Sequence, residues 1–417
     1  MWLAKKNNQK NIFNGIFLAI VFLPLYLLRF KIDWLPVNFL EGWVFLLFLF
    51  WIALNEPLRE FLRAFQKKYF QSLFWPTVFI FIGLTLSSLF SNELLTSAGI
   101  WKSWFLFPVF FAFLVFKKTK QKDQLKRILI GLFLSGLVVA SISLVYWVFG
   151  RLTYDGRLKA FYLSPNFLSM YLMPIWLLSF VLYSYLSRKT TKAFLLLSQL
   201  VILLAIYLTY SYGAWLAGGL GLFFLFVFFS RFNFLKIILL SVLLIMLVCF
   251  VFGCFSNQKL QDVFESPRSS WQSRLMIWRS AWQIGQDHLI LGIGPGLFQQ
   301  HYLDYQKHYP PYLEWAVPQP HNLYLAWWLQ GGLLGLFGFL WLIIVFFRLA
   351  YREIKKNQSV LMTGLVAVMI YFLSHGLIDT PYWKNDFAFL FWLVIGLSLV
   401  EIKLNQAQVD TRNHFPY

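Results

Sequence analysis

Long apolar runs separated by short polar stretches dominate the chain. They fall at residues 12–30, 41–54, 72–90, 100–116, 128–149, 167–186, 193–210, 214–230, 235–253, 322–347, 360–377 and 387–400. A bilayer-spanning helix takes about 20 apolar residues, and shorter runs are accommodated by tilt or local thinning. The pattern predicts an all-α integral membrane protein with about 12 transmembrane helices. The first run follows a basic start (Met1, Trp2, Leu3, Ala4, Lys5, Lys6), as in a secretory signal. It is too long for one and no small-residue cleavage site follows, so it reads as an uncleaved first span. One connection is not short: residues 254–320, between the ninth and tenth runs. Its few linker residues and many aromatics predict an ordered, functional loop. The chain divides into nine spans over 1–253, this loop over 254–320, three spans over 321–400 and a tail over 401–417, functionally one domain.

Composition removes whole classes. The 417 residues are 59% hydrophobic and 13% charged, against about 25% charged in soluble domains. A water-soluble fold and a disordered chain are both excluded. The net charge of +19 would suit nucleic acid, an acidic partner or a membrane surface. Its placement decides. With a cytoplasmic N-terminus, two thirds of the 36 Lys and Arg lie in the loops and termini of one side, Lys117, Lys118, Lys120, Lys122, Lys126 and Arg127 among them. The other side is close to neutral. That is the positive-inside signature, not a nucleic-acid footprint. It places both termini in the cytoplasm and the long loop outside the cytoplasmic (inner) membrane. Cys249 and Cys254 are too few for a disulfide framework and read as buried thiols. No repeat relates the two halves, and the spans are nearly free of charge, which argues against a transporter.

The long loop carries most of the candidate chemistry. Trp271, Leu275, Trp278 and Trp282 recur at helical spacing, so residues 271–288 read as an amphipathic helix with its tryptophans at the membrane interface. Arg274 and Arg279 lie on opposite edges of that stripe, where arginines also snorkel to lipid phosphate. Gly292, Gly294 and Gly296, interrupted by Pro295, have neither the spacing nor the preceding strand of a dinucleotide loop and read as a tight turn. His301 and His308 lack a carboxylate-rich or zinc-type pattern, and no metal or cofactor is assigned. Pro318 and Pro320 stiffen the approach to His321, and Asn322 is a natural N-cap. His321 alone would read as a capping residue; rigid placement at the outer boundary also suits a general base. Gly331, Gly332, Gly335 and Gly338 allow close helix packing. Two further outer segments hold Asp155, Arg157 and Asn166, and His375, Asp379, Lys384, Asn385 and Asp386. Singly each reads as a solvated loop; together they can bring Arg157 and Arg274 near His321.

This order of motifs resembles the O-antigen ligase and polymerase superfamily of bacterial membrane glycosyltransferases. The likeness rests on Gly292 to Phe298, on His321, Asn322, Leu323, Tyr324 and Leu325, and on the glycine-rich Gln330 to Gly335. Ser273 to Trp278 and the Arg157 to Asn166 loop also fit. It implies a GT-C-like, metal-independent, inverting transferase. Such an enzyme moves a glycan from a polyprenyl diphosphate carrier to an acceptor hydroxyl outside the cytoplasmic membrane. It further implies Arg157, Arg274 and His321 as catalytic residues, with Arg279, Asn322, Tyr324, Asn166 and Asp379 as substrate-binding candidates. Many members carry Ser-Arg-Gly-Ala at the outer end of a middle span; here the residues are Ser211, Tyr212, Gly213 and Ala214, with one cation fewer.

The residue types suit that chemistry. Guanidinium forks bind phosphate oxygens in pairs and stabilise a diphosphate leaving group. A neutral imidazole can take the acceptor's proton. The implied partners are the polyprenyl-diphosphate-linked glycan, a lipid, glycan or protein acceptor, and membrane lipids, with no nucleic acid. These acceptors correspond to ligase, polymerase and protein O-oligosaccharyltransferase. A transporter or flippase of lipid-linked glycans predicts instead a polar path through the bilayer. A structural scaffold predicts tolerance of His321→Ala.

Overall fold

A computed structural model describes residues 2–32, 35–54, 57–229, 240, 242, 270–310 and 317–414. Apart from residues 240 and 242, the ninth apolar run lies outside these, as do Cys249, Cys254, Arg268 and Glu314. The described chain is overwhelmingly helical. In order come α1 (Trp2–Val21), a hairpin of β1 (Arg29–Ile32) and β2 (Leu35–Asn38), α2 (Phe39–Leu54), α3 (Pro57–Phe65) and α4 (Lys68–Leu89). Next are α5 (Leu94–Trp101), which continues through a π-helical turn into α6 (Phe107–Lys118), then α7 (Lys122–Val148), α8 (Pro165–Tyr185), α9 (Lys189–Tyr207) and α10 (Tyr212–Phe228). The last are α11 (Ser270–Asp287), α12 (Phe298–Tyr305), α13 (Leu323–Asn357), α14 (Val360–His375) and α15 (Asn385–His414). Among the described residues 7 helices are long and apolar enough to cross a membrane, or 8 if the bent α2–α3 pair is one span; α10, α14 and the apolar part of α1 are shorter.

Two expectations need correction. The run 12–30 is not one helix. Pro24 supplies no N–H and closes it; α1 stops at Val21, a 3-10 turn covers Leu23–Leu27, and the chain enters the hairpin, where Arg29 pairs with Asn38 and Phe30 with Val37. Among the described residues the fold is therefore all-α apart from one two-stranded ribbon. The run 322–347 is not one straight span either. Gly332 has φ 64° and ψ −172°, which breaks α13. The Trp327 ring stacks on Phe339 with centroids 4.7 Å apart, and Tyr324 lies 6.5 Å from the same ring. A continuous helix would hold these pairs about 18 Å and about 22 Å apart. The first limb of α13 thus folds back against the second, and Gly332 is the tip of a helical hairpin.

Packing follows composition. α15 is apolar on every side from Phe387 to Val400 and is buried on every side. The long second limb of α13 lies against α4 through glycines: a Cβ on Gly83 would stand 2.3 Å from the Gly335 nitrogen, and one on Gly338 2.7 Å from the Ile80 nitrogen. Polar contacts sort the connections into two ends. At one end Lys117 donates to the Glu60 carbonyl and Lys403 to that of Phe116, while Ser359 donates to Glu401. At the other gather the starts of α8, α10 and α13 with the end of α14. The six basic residues of 117–127 mark the first as the basic end.

Backbone contact at these glycines leaves no room for side chains. Gly83→Ala and Gly338→Ala should each cost about 1–3 kcal/mol, read as a lowered melting temperature in detergent. Gly219→Ala, with no atom within 4 Å of its Cβ, should melt like the parent.

Candidate functional site

The site is built around the first residues of α13. Asn322 caps the helix as expected: its Oδ1 accepts from the Tyr324 and Leu325 amides at 3.0 Å each. Its Nδ2 donates to the Leu377 carbonyl (3.0 Å), and the Leu323 amide donates to that of Gly376 (2.7 Å). The start of α13 is thereby stitched to the end of α14. His321 itself takes φ 47°, a left-handed conformation that costs a non-glycine residue of order 1 kcal/mol. Its carbonyl accepts from the indole of Trp278 on α11 (3.3 Å). Held from both sides, the imidazole presents Nδ1 to Asp379 Oδ1 at 3.1 Å.

Asp379 is the hub. It is 1% exposed, yet both carboxylate oxygens are engaged. Oδ1 also accepts from the Thr380 amide (2.9 Å), and Oδ2 accepts from Asn166 Nδ2 (2.9 Å). Asn166, at the N-terminus of α8, accepts in turn from Arg157 Nη2 through Oδ1 (2.7 Å). Arg157 Nε donates to the Thr209 carbonyl (2.8 Å), and Nη1 lies 4.0 Å from Asp155. Arg274, on α11, donates from Nε to the Ile378 carbonyl (3.0 Å), one residue from the hub. A chain of hydrogen bonds therefore runs His321–Asp379–Asn166–Arg157, with Arg274 alongside.

The charges respond to this crowding. Burial pushes the Asp379 carboxyl up, but the His321 ring beside it, with His375 and Arg274, outweighs burial and holds it well below the usual carboxylate range. Burial pushes the Arg157 guanidinium down, and Arg274 adds repulsion against the pull of Asp155, Tyr212 and Asp379. The two cations feel each other, so an anion placed between them would relieve that repulsion.

Of the eight candidates, the structure brings together Arg157, Asn166, Arg274, His321, Asn322 and Asp379. Tyr324 is half-buried, with its hydroxyl on the Leu373 carbonyl (3.1 Å). Arg279 is exposed on α11; five residues past Arg274, it points about 140° away around the helix. Tyr212 lies close enough to Arg157 to act on its charge. Gly213 beside it admits the segment after α14 closely: a Cβ there would stand 2.3 Å from Ile378 Cδ1.

The glycine turn is also explained. Gly292, Gly294 and Gly296 all have positive φ. The Ile293 amide donates to the Leu329 carbonyl (2.6 Å), and that of Leu333 to Ile290 (3.0 Å), which satisfies backbone groups freed by the break at Gly332. The Gly296 amide donates to Gln330 Oε1 (2.8 Å), and Gln330 Nε2 donates to Gln319 Oε1 (2.9 Å). Two of the turn's amides thus serve the hairpin tip, not a phosphate. Sequence reasoning missed this buried glutamine pair and the carbonyls of Thr209 and Ile378; main-chain acceptors leave no residue-type signal. Among the described residues no three His, Cys, Asp or Glu side chains group as ligands for a cation.

The hub has a pH signature. Because the Asp379 carboxyl is depressed, its contribution to stability is complete above the unfolded carboxylate value, about pH 4, and is lost as pH falls through the folded one. Asp379→Asn should lower stability by about 1–3 kcal/mol at neutral pH and flatten the acid limb below about pH 4, as followed by thermal melts across pH.

No curated protein matches the chain. Residues 197–340 match the family model described as O-antigen ligase. The segment holds Tyr212, Arg274, His321 and the Gly332 hairpin, while Arg157, Asn166 and Asp379 reach the site from outside it. Members of that family are glycosyltransferase-like membrane enzymes, ligases or polymerases, and the match supports this multi-pass chain's membership of the O-antigen ligase family.

Proposed function

We propose that this chain transfers a glycan from a polyprenyl diphosphate carrier to an acceptor hydroxyl, with His321 as general base. The observation that carries the reading is the His321 Nδ1 contact with buried Asp379. An ionised carboxylate there accepts a hydrogen bond from Nδ1–H, which leaves the Nε2 lone pair for the substrate. The acceptor oxygen attacks the anomeric carbon as Nε2 takes its proton, the bond from that carbon to the diphosphate oxygen breaks, and the polyprenyl diphosphate departs. One displacement inverts the anomeric centre. Arg157 and Arg274 bind the diphosphate and stabilise the charge it gains. Asn166 fixes the distance between the Arg157 cation and the dyad. Guanidinium groups supply the positive charge in this reading, with no metal or other cofactor.

In the same reading the shorter apolar helices and the ninth run also cross the inner membrane, which gives about twelve crossings. Both termini and the basic end face the cytoplasm, and the site faces outward. A lipid-anchored core sugar as acceptor makes the chain a ligase, which is the assignment we favour from the family description.

The test is transfer by purified protein from a polyprenyl-diphosphate oligosaccharide to lipid-linked, glycan and peptide acceptors. His321→Ala, Arg274→Ala and Arg157→Ala should each lose about 10²–10⁴-fold, while Arg279→Ala should stay within a few-fold of the parent, and EDTA should leave the rate unchanged. Full activity of both His321→Ala and Arg274→Ala would overturn the reading. Activity abolished by EDTA and restored by a divalent ion would overturn its metal-free part.

A further inference from the structure

The stretch from the end of α14 into the first turn of α15 carries two carboxylates of 1% exposure or less: Asp379, in the His321 cluster, and Asp386. The segment 157–167 is tied to both. Asn166 Nδ2 donates to Asp379 Oδ2 (2.9 Å), and the buried Tyr162 hydroxyl donates to Asp386 Oδ2 (3.2 Å).

Lys384 lies in the sequence between these two carboxylates. It is buried, although its side chain ends in an ammonium, and that ammonium meets no hydrogen-bond acceptor among the described residues. Four rings box it instead. Their centroids stand 4.2 Å away for Tyr162, 4.5 Å for Phe167, 5.2 Å for Phe387 and 5.3 Å for Tyr26. A cation is attracted to aromatic faces, most strongly where water is excluded. Tyr162 and Phe167 bracket Asn166 in the sequence, so the ammonium grips the chain on either side of it.

The cluster is a poor stabilising device. Lys384 Nζ, Asp386 Oδ1 and the Tyr26 hydroxyl are all buried without a hydrogen-bond partner among the described residues. An ion pair left incomplete in this way does not offset its desolvation. Burial pushes the Lys384 ammonium down to about 8, against the pull of Asp386, and Arg29 on β1 adds repulsion. Below that pH the charged amine lowers stability, and the penalty fades as pH rises from there to the ordinary lysine value. A charge retained against the interest of the fold points to a use in the nearby site.

We propose that Lys384 is a positioning residue for the transfer: its cation clamps Tyr162 and Phe167, and so holds Asn166, and through it Arg157, against Asp379. The proposal rests on the catalytic reading above. The other end of the segment rests on the end of α9, where the Leu158 amide donates to the Leu208 carbonyl (2.9 Å) and Arg157 Nε to that of Thr209. The Lys384 box is therefore the anchor at the Asn166 end. The charged and titratable groups around the ammonium are Asp386 on α15, Tyr162 on the segment, Tyr26 on the 3-10 turn and Arg29 on β1.

Lys384→Met with Asp386→Asn removes the charge pair and keeps the volume. This variant should melt no lower than the parent, while kcat for transfer falls about 10–100-fold, as a displacement of about 1 Å brings. The parent's kcat should decline above about pH 8, as the amine loses its proton, and the variant's should not. Protection of residues 157–167 from hydrogen exchange in detergent should drop about tenfold in the variant and stay unchanged in the second limb of α13. An unaltered kcat in the folded variant would overturn the proposal, as would unaltered protection of 157–167. A parent kcat that stays flat through about pH 9 would overturn it too, and that profile needs no variant to fold. If the parent transfers nothing, the catalytic reading fails, and the exchange measurement alone decides whether Lys384 holds the segment.

Discussion

A carboxylate nine-tenths or more removed from water must be surrounded by donors, and Asp379 meets that constraint with groups from across the chain. His321 precedes α13, Asn166 opens α8, and the Thr380 amide is its own neighbour. Arg157 and Arg274 arrive through Asn166 and the Ile378 carbonyl. A buried charge left with one partner fewer is costly, so the hub ties the positions of four segments together. The cations and the imidazole that it gathers are the groups a glycan diphosphate donor would need.

The broken helix is what delivers His321 to this hub. Because α13 folds back at Gly332, its N-terminus is set about 14 Å of helix away from the tip. The tip is locked by the 292–296 turn and the residues just before it, which approach so closely that a Cβ on Gly332 would lie 2.2 Å from the Ile290 carbonyl oxygen and one on Gly292 2.4 Å from that of Leu329. The foot is locked by the Asn322 cap and its bonds to the end of α14. Between them, Trp327 stacks on Phe339 and holds the limbs together. His321 therefore rides on an element fixed at both ends, although it lies in a segment that reads as a loop leading into a span.

Much of this was legible in the sequence. Apolar runs marked the helices because a bilayer requires them, and Asn322 announced its cap. Arg157, Arg274 and His321 were singled out by residue type and order, and Asp379 by its place after a span. What was hidden has physical reasons. A glycine pair inside an apolar run reads as a packing surface, and Gly335 and Gly338 do pack; nothing local says that Gly332 adopts positive φ. Spacing alone set Arg274 and Arg279 on opposite edges of the tryptophan stripe but did not say which edge faces the site; that of Arg274 does, through the Ile378 carbonyl. The hairpin after α1 was masked by its apolar residues, although Pro24 and the alternation of Arg29, Phe30, Lys31 and Ile32 signalled it. Acceptors such as the Thr209 carbonyl come from backbone path and have no letter of their own.

The central claim is that His321 and Asp379 act as one unit. A double-mutant cycle on the transfer rate addresses it most directly, with His321→Ala, Asp379→Asn and the pair compared with the parent. The account predicts strong non-additivity, the double variant being no slower than His321→Ala alone, because Asp379 works through the ring it orients. Losses that multiply across the two substitutions would mean that the residues act independently, and would contradict it.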